Sequence, residues 1–254
     1  MSVKLTAVSF NYRVRSIASG PWYRNLFSRT ETTVNIFQAL DLHLPHSGTN
    51  YGLLGKNGSG KTTLIKLMSG ILQADSGSID VFGDSPSTRK PGMLRQLGVM
   101  FGHQSLLWPE LSLHENLRLF EHIYRRHYDP AQVDIRLQEL ALCHIVDKPA
   151  KTYSLGQSVK ANLLIHLLNQ PRLLILDEPT IGLDIESGIA LRPSLAQFAQ
   201  QTGAIVLITS HNMADIAEIC EQVFFLVQGR IRAIELNPKH GKHEKIIHLE
   251  SLFL

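Results

Sequence analysis

The chain has 254 residues, 44% hydrophobic and 19% charged, enough for one large or two small domains and ample for a real core. A net charge of +3 and a pI near 8.9 are too mild to point to a nucleic-acid partner. No run approaches the ~18–20 apolar residues of a membrane span, and the opening residues read as a strand rather than a signal peptide.

Residues 3–10 and 35–44 read as strands of an antiparallel lead-in, with Tyr12 just after the first. Between them lies an unusual stretch, residues 18–30. There Trp22 and Leu26, and Tyr23 and Phe27, fall at i, i+4 spacing after Pro21, with Arg24 and Arg29 nearby. The stretch reads either as a surface hairpin packing its aromatics on the domain or as a short amphipathic helix touching a membrane protein or membrane surface. Residues 51–54 form a short buried strand, 62–68 a helix, 77–83 a strand between glycines and 96–101 another strand. From about 113 to 142 apolar residues recur at helical spacing, and Pro130 separates two helices. Residues 88–151 therefore read as a mainly helical insertion into one domain, 1–254, whose core is 1–87 and 152–254. The core resumes with a helix at 155–169, a strand at 173–176, a helix at 185–200, a strand at 204–209 and a helix from Met213. A hairpin, 223–227 and 231–234, closes around Gln228 and Gly229. Near the C-terminus His240, His243 and His248, among Lys239, Lys242 and Lys245, fit no zinc spacing and read as a solvated tail. Cys143 and Cys220 lie far apart, outside any metal-ligand pattern, as thiols of a reducing compartment do. The alternation of strands and helices predicts an α/β fold with a largely parallel central sheet.

Two of these elements carry chemistry. The loop GKNGSGKT at 55–62 fits the phosphate-binding pattern G-x-x-x-x-G-K-[ST] and lies between a strand and a helix. Gly55, Asn57, Gly58, Ser59 and Gly60 form a loop whose backbone N–H groups can point at phosphates. Lys61 brings a positive charge to the outer phosphates, and Thr62 offers its hydroxyl to Mg²⁺. The helix N-terminus, with Thr63 in its first turn, faces the anion. The apolar strand 173–176 ends in Asp177 and Glu178. A first carboxylate there holds Mg²⁺ through water, and a second accepts a proton from an attacking water. ATP or GTP hydrolysis on a P-loop NTPase fold is thus expected.

Between these elements stand Tyr153, Ser154, Leu155, Gly156 and Gln157, similar to the LSGGQ signature of ATP-binding cassette (ABC) proteins. Ser154 precedes Asp177 by 177 − 154 = 23 residues, the family's spacing. Residues 179–184, ending in Asp184, resemble the family's D-loop, and residues 209–211, ending in His211, its H-loop. The chain therefore resembles the ATPase subunit of an ABC transporter from residue 3 to about 234. The resemblance implies a RecA-like core with an antiparallel β lead-in and an inserted helical subdomain, and ATP and Mg²⁺ as cofactors. It makes Lys61 and the loop amides phosphate ligands, Asp177 a metal anchor, Glu178 the general base and His211 a γ-phosphate contact. Tyr12 takes the position of the adenine-stacking aromatic. Ser154, Gly156 and Gln157 are expected to serve the nucleotide of a second subunit, with Asp184 at the interface. A physical argument agrees: Ser154 is a good N-cap, and its hydroxyl, the Gly156 amide and the helix dipole would face an outside anion.

The signature departs from the family pattern in Tyr153 and Leu155 but keeps Ser154 and Gly156. The Q-loop residue is His103 by counting back from Leu107 and Gln104 by residue type; the amide oxygen of Gln104 suits Mg²⁺ better than an imidazole. The motif variants most resemble the ABC-2-type exporter group. This implies an ATPase working with an integral-membrane permease at the cytoplasmic face of the cell membrane, exporting a drug, peptide, lipid or polysaccharide. The alternatives are a soluble ABC ATPase acting on ribosomes or DNA, and a module that binds ATP without hydrolysing it. A single cassette without sustained heptads stands against the first, and intact Lys61, Asp177, Glu178 and His211 against the second.

Overall fold

The computed structural model describes residues 2–17, 29–45, 47–102, 104–180, 185–236 and 241–253. Residues 18–28 of the aromatic stretch, His103, Asp184 and His240 lie outside the described residues. The chain opens with β1 (Val3–Ile17) and β2 (Arg29–Leu44), then β3 (Thr49–Leu54), α1 (Lys61–Met68) and β4 (Ser76–Val81). A one-turn helix α2 (Pro91–Leu94) leads into β5 (Leu97–Phe101). Helices α3 (Leu113–Tyr124), α4 (Pro130–Glu139) and α5 (Leu155–Asn169) follow. Then come β6 (Leu173–Asp177), α6 (Ile185–Thr202), β7 (Ile205–Thr209) and α7 (Met213–Ile219). The hairpin β8 (Gln222–Val227) and β9 (Arg230–Glu235) precedes the last helix, α8 (Lys242–Phe253).

Two sheets form. A three-stranded antiparallel sheet has the order β2-β1-β4, and a six-stranded sheet the order β5-β6-β7-β3-β8-β9, parallel except for β9. β6 and β7 are buried at every position, as strands covered on both faces must be. Their side chains alternate between two cores. Leu174, Leu176, Val206 and Ile208 join α3, α4, α5, α6 and α7 on one face. Leu173, Ile175, Ile205 and Leu207 join α1 and the antiparallel sheet on the other.

Helix starts follow their caps. Ser112 and Glu115 close a capping box on α3, Asp129 accepts from Ala131 N ahead of α4, and Ser154 and Gln157 close a capping box on α5. Two buried asparagines fix the segment between β5 and α3. Asn162 on α5 accepts from Leu106 N at 2.7 Å, and Asn116 on α3 accepts from Trp108 N at 2.7 Å.

Three expectations change. β1 and β2 run on to Ile17 and back from Arg29, so Tyr12 lies within a strand rather than after one. β5 is hydrogen-bonded beside β6 in the core sheet, although the sequence assigned residues 88–151 to the insertion. Its residues are short, apolar and adjacent to a helix-rich stretch, and only pairing reveals which body they join. The C-terminal stretch is the helix α8 rather than a solvated tail: Leu249 is fully buried and Ile246 packs on the α-helical core, while His243 and His248 stay exposed.

Candidate functional site

Four adjacent strands deliver the site. Phe101, Asp177, Thr209 and Leu53 are lateral neighbours across β5, β6, β7 and β3, so the chain segments that leave these strands start from one row. This is the carboxyl edge of a parallel sheet, where α/β folds bind ligands.

After β3 the loop turns into α1 through Gly60, whose φ of 106° is left-handed. That conformation calls for glycine, and a Cβ there would also crowd Ile36 Cγ2 and the Phe37 ring at 3.0 Å. The first helical hydrogen bond runs from Leu64 N to Gly60 O, so the amides of Lys61, Thr62 and Thr63 precede the ladder and remain for an anion. The Lys61 ammonium donates to Gly55 O at 2.7 Å and Lys56 O at 3.4 Å, and lies 4.0 Å from Glu178 Oε1. Ser59 Oγ is buried without a partner among the described residues.

Thr62 Oγ1 donates to Asp177 Oδ2 at 2.8 Å, and Thr209 Oγ1 donates to Asp177 Oδ1 at 2.6 Å. Glu178 follows with φ of 54°, a conformation costing a non-glycine residue about 1–3 kcal/mol and typical of functional sites. Its N–H is shared between Thr209 O at 3.1 Å and Thr209 Oγ1 at 3.0 Å. Its Oε2 lies 2.5 Å from His211 Nδ1, and toward an ionised carboxylate that nitrogen is the donor.

Lys61, Thr62, Asp177 and Glu178 line a cleft of about 490 Å³. Among the residues expected from sequence, Tyr12, Asn57, Gly58, Gly60, Lys61, Thr62, Thr63, Asp177 and Glu178 line it. Tyr12 stands edge-on to Phe10 with ring centroids 5.0 Å apart, its hydroxyl 3.3 Å from Thr63 Oγ1. His211 is held at the site through Glu178. Gly55 contributes the carbonyl that holds Lys61. Gln104 is exposed and does not line the cleft; its N–H bonds to Phe101 O at 2.8 Å. Ser154, Gly156 and Gln157 do not line it either. They form the start of α5, where Ser154 Oγ accepts from Gln157 N at 3.2 Å and keeps its own proton free of that cap.

Sequence reasoning missed Ile36 and Gly102, which line the cleft, and Thr209. Gly102 donates its N–H to Asp177 O at 2.8 Å. A glycine directly after β5 was the available signal for Gly102; Ile36 and Thr209 follow only from strand register.

The donor set fits a triphosphate with a hard divalent cation. Thr62 Oγ1 and Asp177 Oδ2 are paired oxygens of the kind Mg²⁺ takes, and the Lys61 ammonium beside them is held mainly by backbone carbonyls that an anion could outcompete.

A family model described as ABC transporter matches residues 37–181. The chain is 33% identical over 201 residues to the uncharacterized ABC transporter ATP-binding protein YdbJ of Bacillus subtilis, covering 79% of this chain and 65% of YdbJ. It is 31% identical over 196 residues to the lantibiotic transport ATP-binding protein SrtF of Streptococcus pyogenes, covering 77% of this chain and 82% of SrtF. The chain thus spans slightly less than two thirds of YdbJ. A solved ATP binding subunit of an ABC transporter superposes with a TM-score of 0.73 at 22% identity, covering 98% of this chain and 100% of that one, which speaks for the fold.

Proposed function

The chain belongs to the ABC transporter family, and on that premise we propose that it is the ATP-hydrolysing subunit of an exporter that works through a separate membrane permease. The observation that carries the reading is the position of Glu178. Its carboxylate lies between the Lys61 ammonium and the His211 imidazole, and the neighbouring Asp177 is bonded to Thr62. Residues far apart in sequence thereby meet at one end of one sheet, as phosphoryl transfer to water requires.

In this reading the loop amides and Lys61 bind the β- and γ-phosphates of ATP. Thr62 and Asp177 would hold Mg²⁺, with Gln104 as a further ligand, and the bound ion would neutralise charge on the phosphate oxygens. Glu178 accepts the proton of the attacking water at a carboxylate oxygen. His211 orients that carboxylate by donating from Nδ1 and contacts the γ-phosphate. Tyr12 and Ile36 form the apolar wall for the base. Ser154, Gly156 and Gln157, capping α5 away from this cleft, serve the nucleotide of a second copy, with Asp184 at the contact. SrtF is named for lantibiotic transport, which supports export of a peptide or drug; a lipid or polysaccharide belongs to the same reading. No helix among the described residues is long and apolar enough to cross a membrane; a permease on another chain and a place at the cytoplasmic face of the membrane belong to the same reading.

The test is Glu178→Gln in the whole chain. ATP binding should persist, turnover should fall about a hundredfold or more, and ATP should shift the variant to a dimer by light scattering. Parent-like turnover in the variant removes Glu178 as the base and with it the reading.

A further inference from the structure

We infer that Thr209 is a positioning residue whose single hydroxyl aims both carboxylates of the site. The inference rests on the function proposed above and assigns a role to Thr209, the last residue of β7 and the first of the stretch 209–211 that resembles the H-loop.

Thr209 is fully buried. Its Oγ1 is 2.6 Å from Asp177 Oδ1 and 3.0 Å from Glu178 N. Proton accounting fixes the direction of each bond. A peptide N–H can only donate, so toward Glu178 the hydroxyl accepts; its one proton is then committed to the Asp177 carboxylate, which when ionised can only accept. Asp177 is therefore held at both oxygens, Oδ1 by Thr209 and Oδ2 by Thr62 at 2.8 Å. Held at Oδ1 by Thr209, the carboxylate keeps Oδ2 turned to Thr62, the side on which Thr62 would share a cation.

The same hydroxyl supports the turn into Glu178. That residue has a left-handed φ of 54°, and its N–H is split between Thr209 O and Thr209 Oγ1. Two residues beyond Thr209 the chain reaches His211, whose Nδ1 meets Glu178 Oε2. One side chain thus fixes where Asp177 points and how the backbone enters Glu178. A valine at this place keeps the shape and loses both bonds.

The experiment compares the parent with Thr209→Val, Thr209→Ser and Thr209→Cys in the whole chain. The thiol of the last fills similar space but is a weak donor, which covers the case that valine does not fold. Two quantities are read: Mn²⁺ affinity in the presence of ADP, by electron paramagnetic resonance, and kcat against KM for ATP. Loss of the hydroxyl should weaken Mn²⁺ binding and lower kcat, each about ten- to hundredfold, the usual cost of removing an outer-shell partner. KM should move little, because the phosphate loop is untouched, and Thr209→Ser should stay near the parent. Parent-like Mn²⁺ affinity and kcat in Thr209→Val or Thr209→Cys, or a Thr209→Ser as defective as they are, overturns the inference. A parent that binds Mn²⁺ and ADP yet turns over no ATP counts against the hydrolytic reading alone, since the metal comparison still decides the role of Thr209.

Discussion

His166 sits in the last turn of α5, 1% exposed, and neither ring nitrogen has a partner among the described residues. Burial pushes its pKa down from 6.5 to about 4, because the charged ring would lose its water with nothing in return. The sign follows. Below pH 6.5 the unfolded imidazole binds a proton that the folded one refuses until about pH 4. Stability from this residue is therefore complete above the unfolded value and is lost as pH falls toward the folded one, by about 3 kcal/mol across the window. In urea unfolding at pH 7 and pH 5, His166→Met should lose about 2 kcal/mol less than the parent between the two. Equal losses would mean the ring finds solvent. At this scale the sequence was legible where a residue type has one use, as at Gly60 or Lys61. It was silent on Thr209 and His166, whose roles depend on which strand or helix face lies opposite.

Elements were readable wherever a cap and a period agreed. Ser154 with Gln157 marks the start of α5, and Pro130 after Asp129 marks that of α4. α8 was missed because its charged and histidine-rich face hides a narrow apolar one: Leu249 is fully buried while Ile247 is 52% exposed. The two residues give a test of packing. Leu249→Ala should destabilise by about 2–3 kcal/mol and Ile247→Ala by less than about 0.5 kcal/mol, measured by thermal or urea unfolding. Two neutral substitutions would make the helix an appendage. β1 and β2 were underestimated for a related reason. Their outer halves, such as Arg13 and Thr32, carry polar residues on both faces, so no buried face imposes a period of two.

For the whole molecule the sequence foretold the α/β class, the parallel sheet and the inserted helices, yet placed the boundary of the insertion too early. The boundary is blurred physically, because α3 and α4 share one continuous core with α5, α6 and the sheet. The cleft and the start of α5 are separate places on this chain, so a composite site predicts complementation. Chains carrying Lys61→Ala and chains carrying Ser154→Arg should each be inactive. A mixed pair, however, contains one intact phosphate loop facing one intact signature, and ATP turnover should reappear on mixing. Continued inactivity of the mixture, with mixed dimers present by mass spectrometry, would place both halves of the site on one chain.

β4 accompanies β1 only as far as the pair Ser9 and Ser76, after which β1 and β2 continue as a two-stranded ribbon to Ile17 and Arg29. Tyr12, paired with Val34, belongs to that ribbon, whereas Lys61 and Thr62 belong to the core. On the proposed reading the wall for the base is carried by the ribbon and the cradle for the phosphates by the core, and the two meet where Tyr12 Oη lies 3.3 Å from Thr63 Oγ1. On that reading a substitution along the ribbon bears on the choice of base first, and reaches the phosphate loop only through the Tyr12–Thr63 contact.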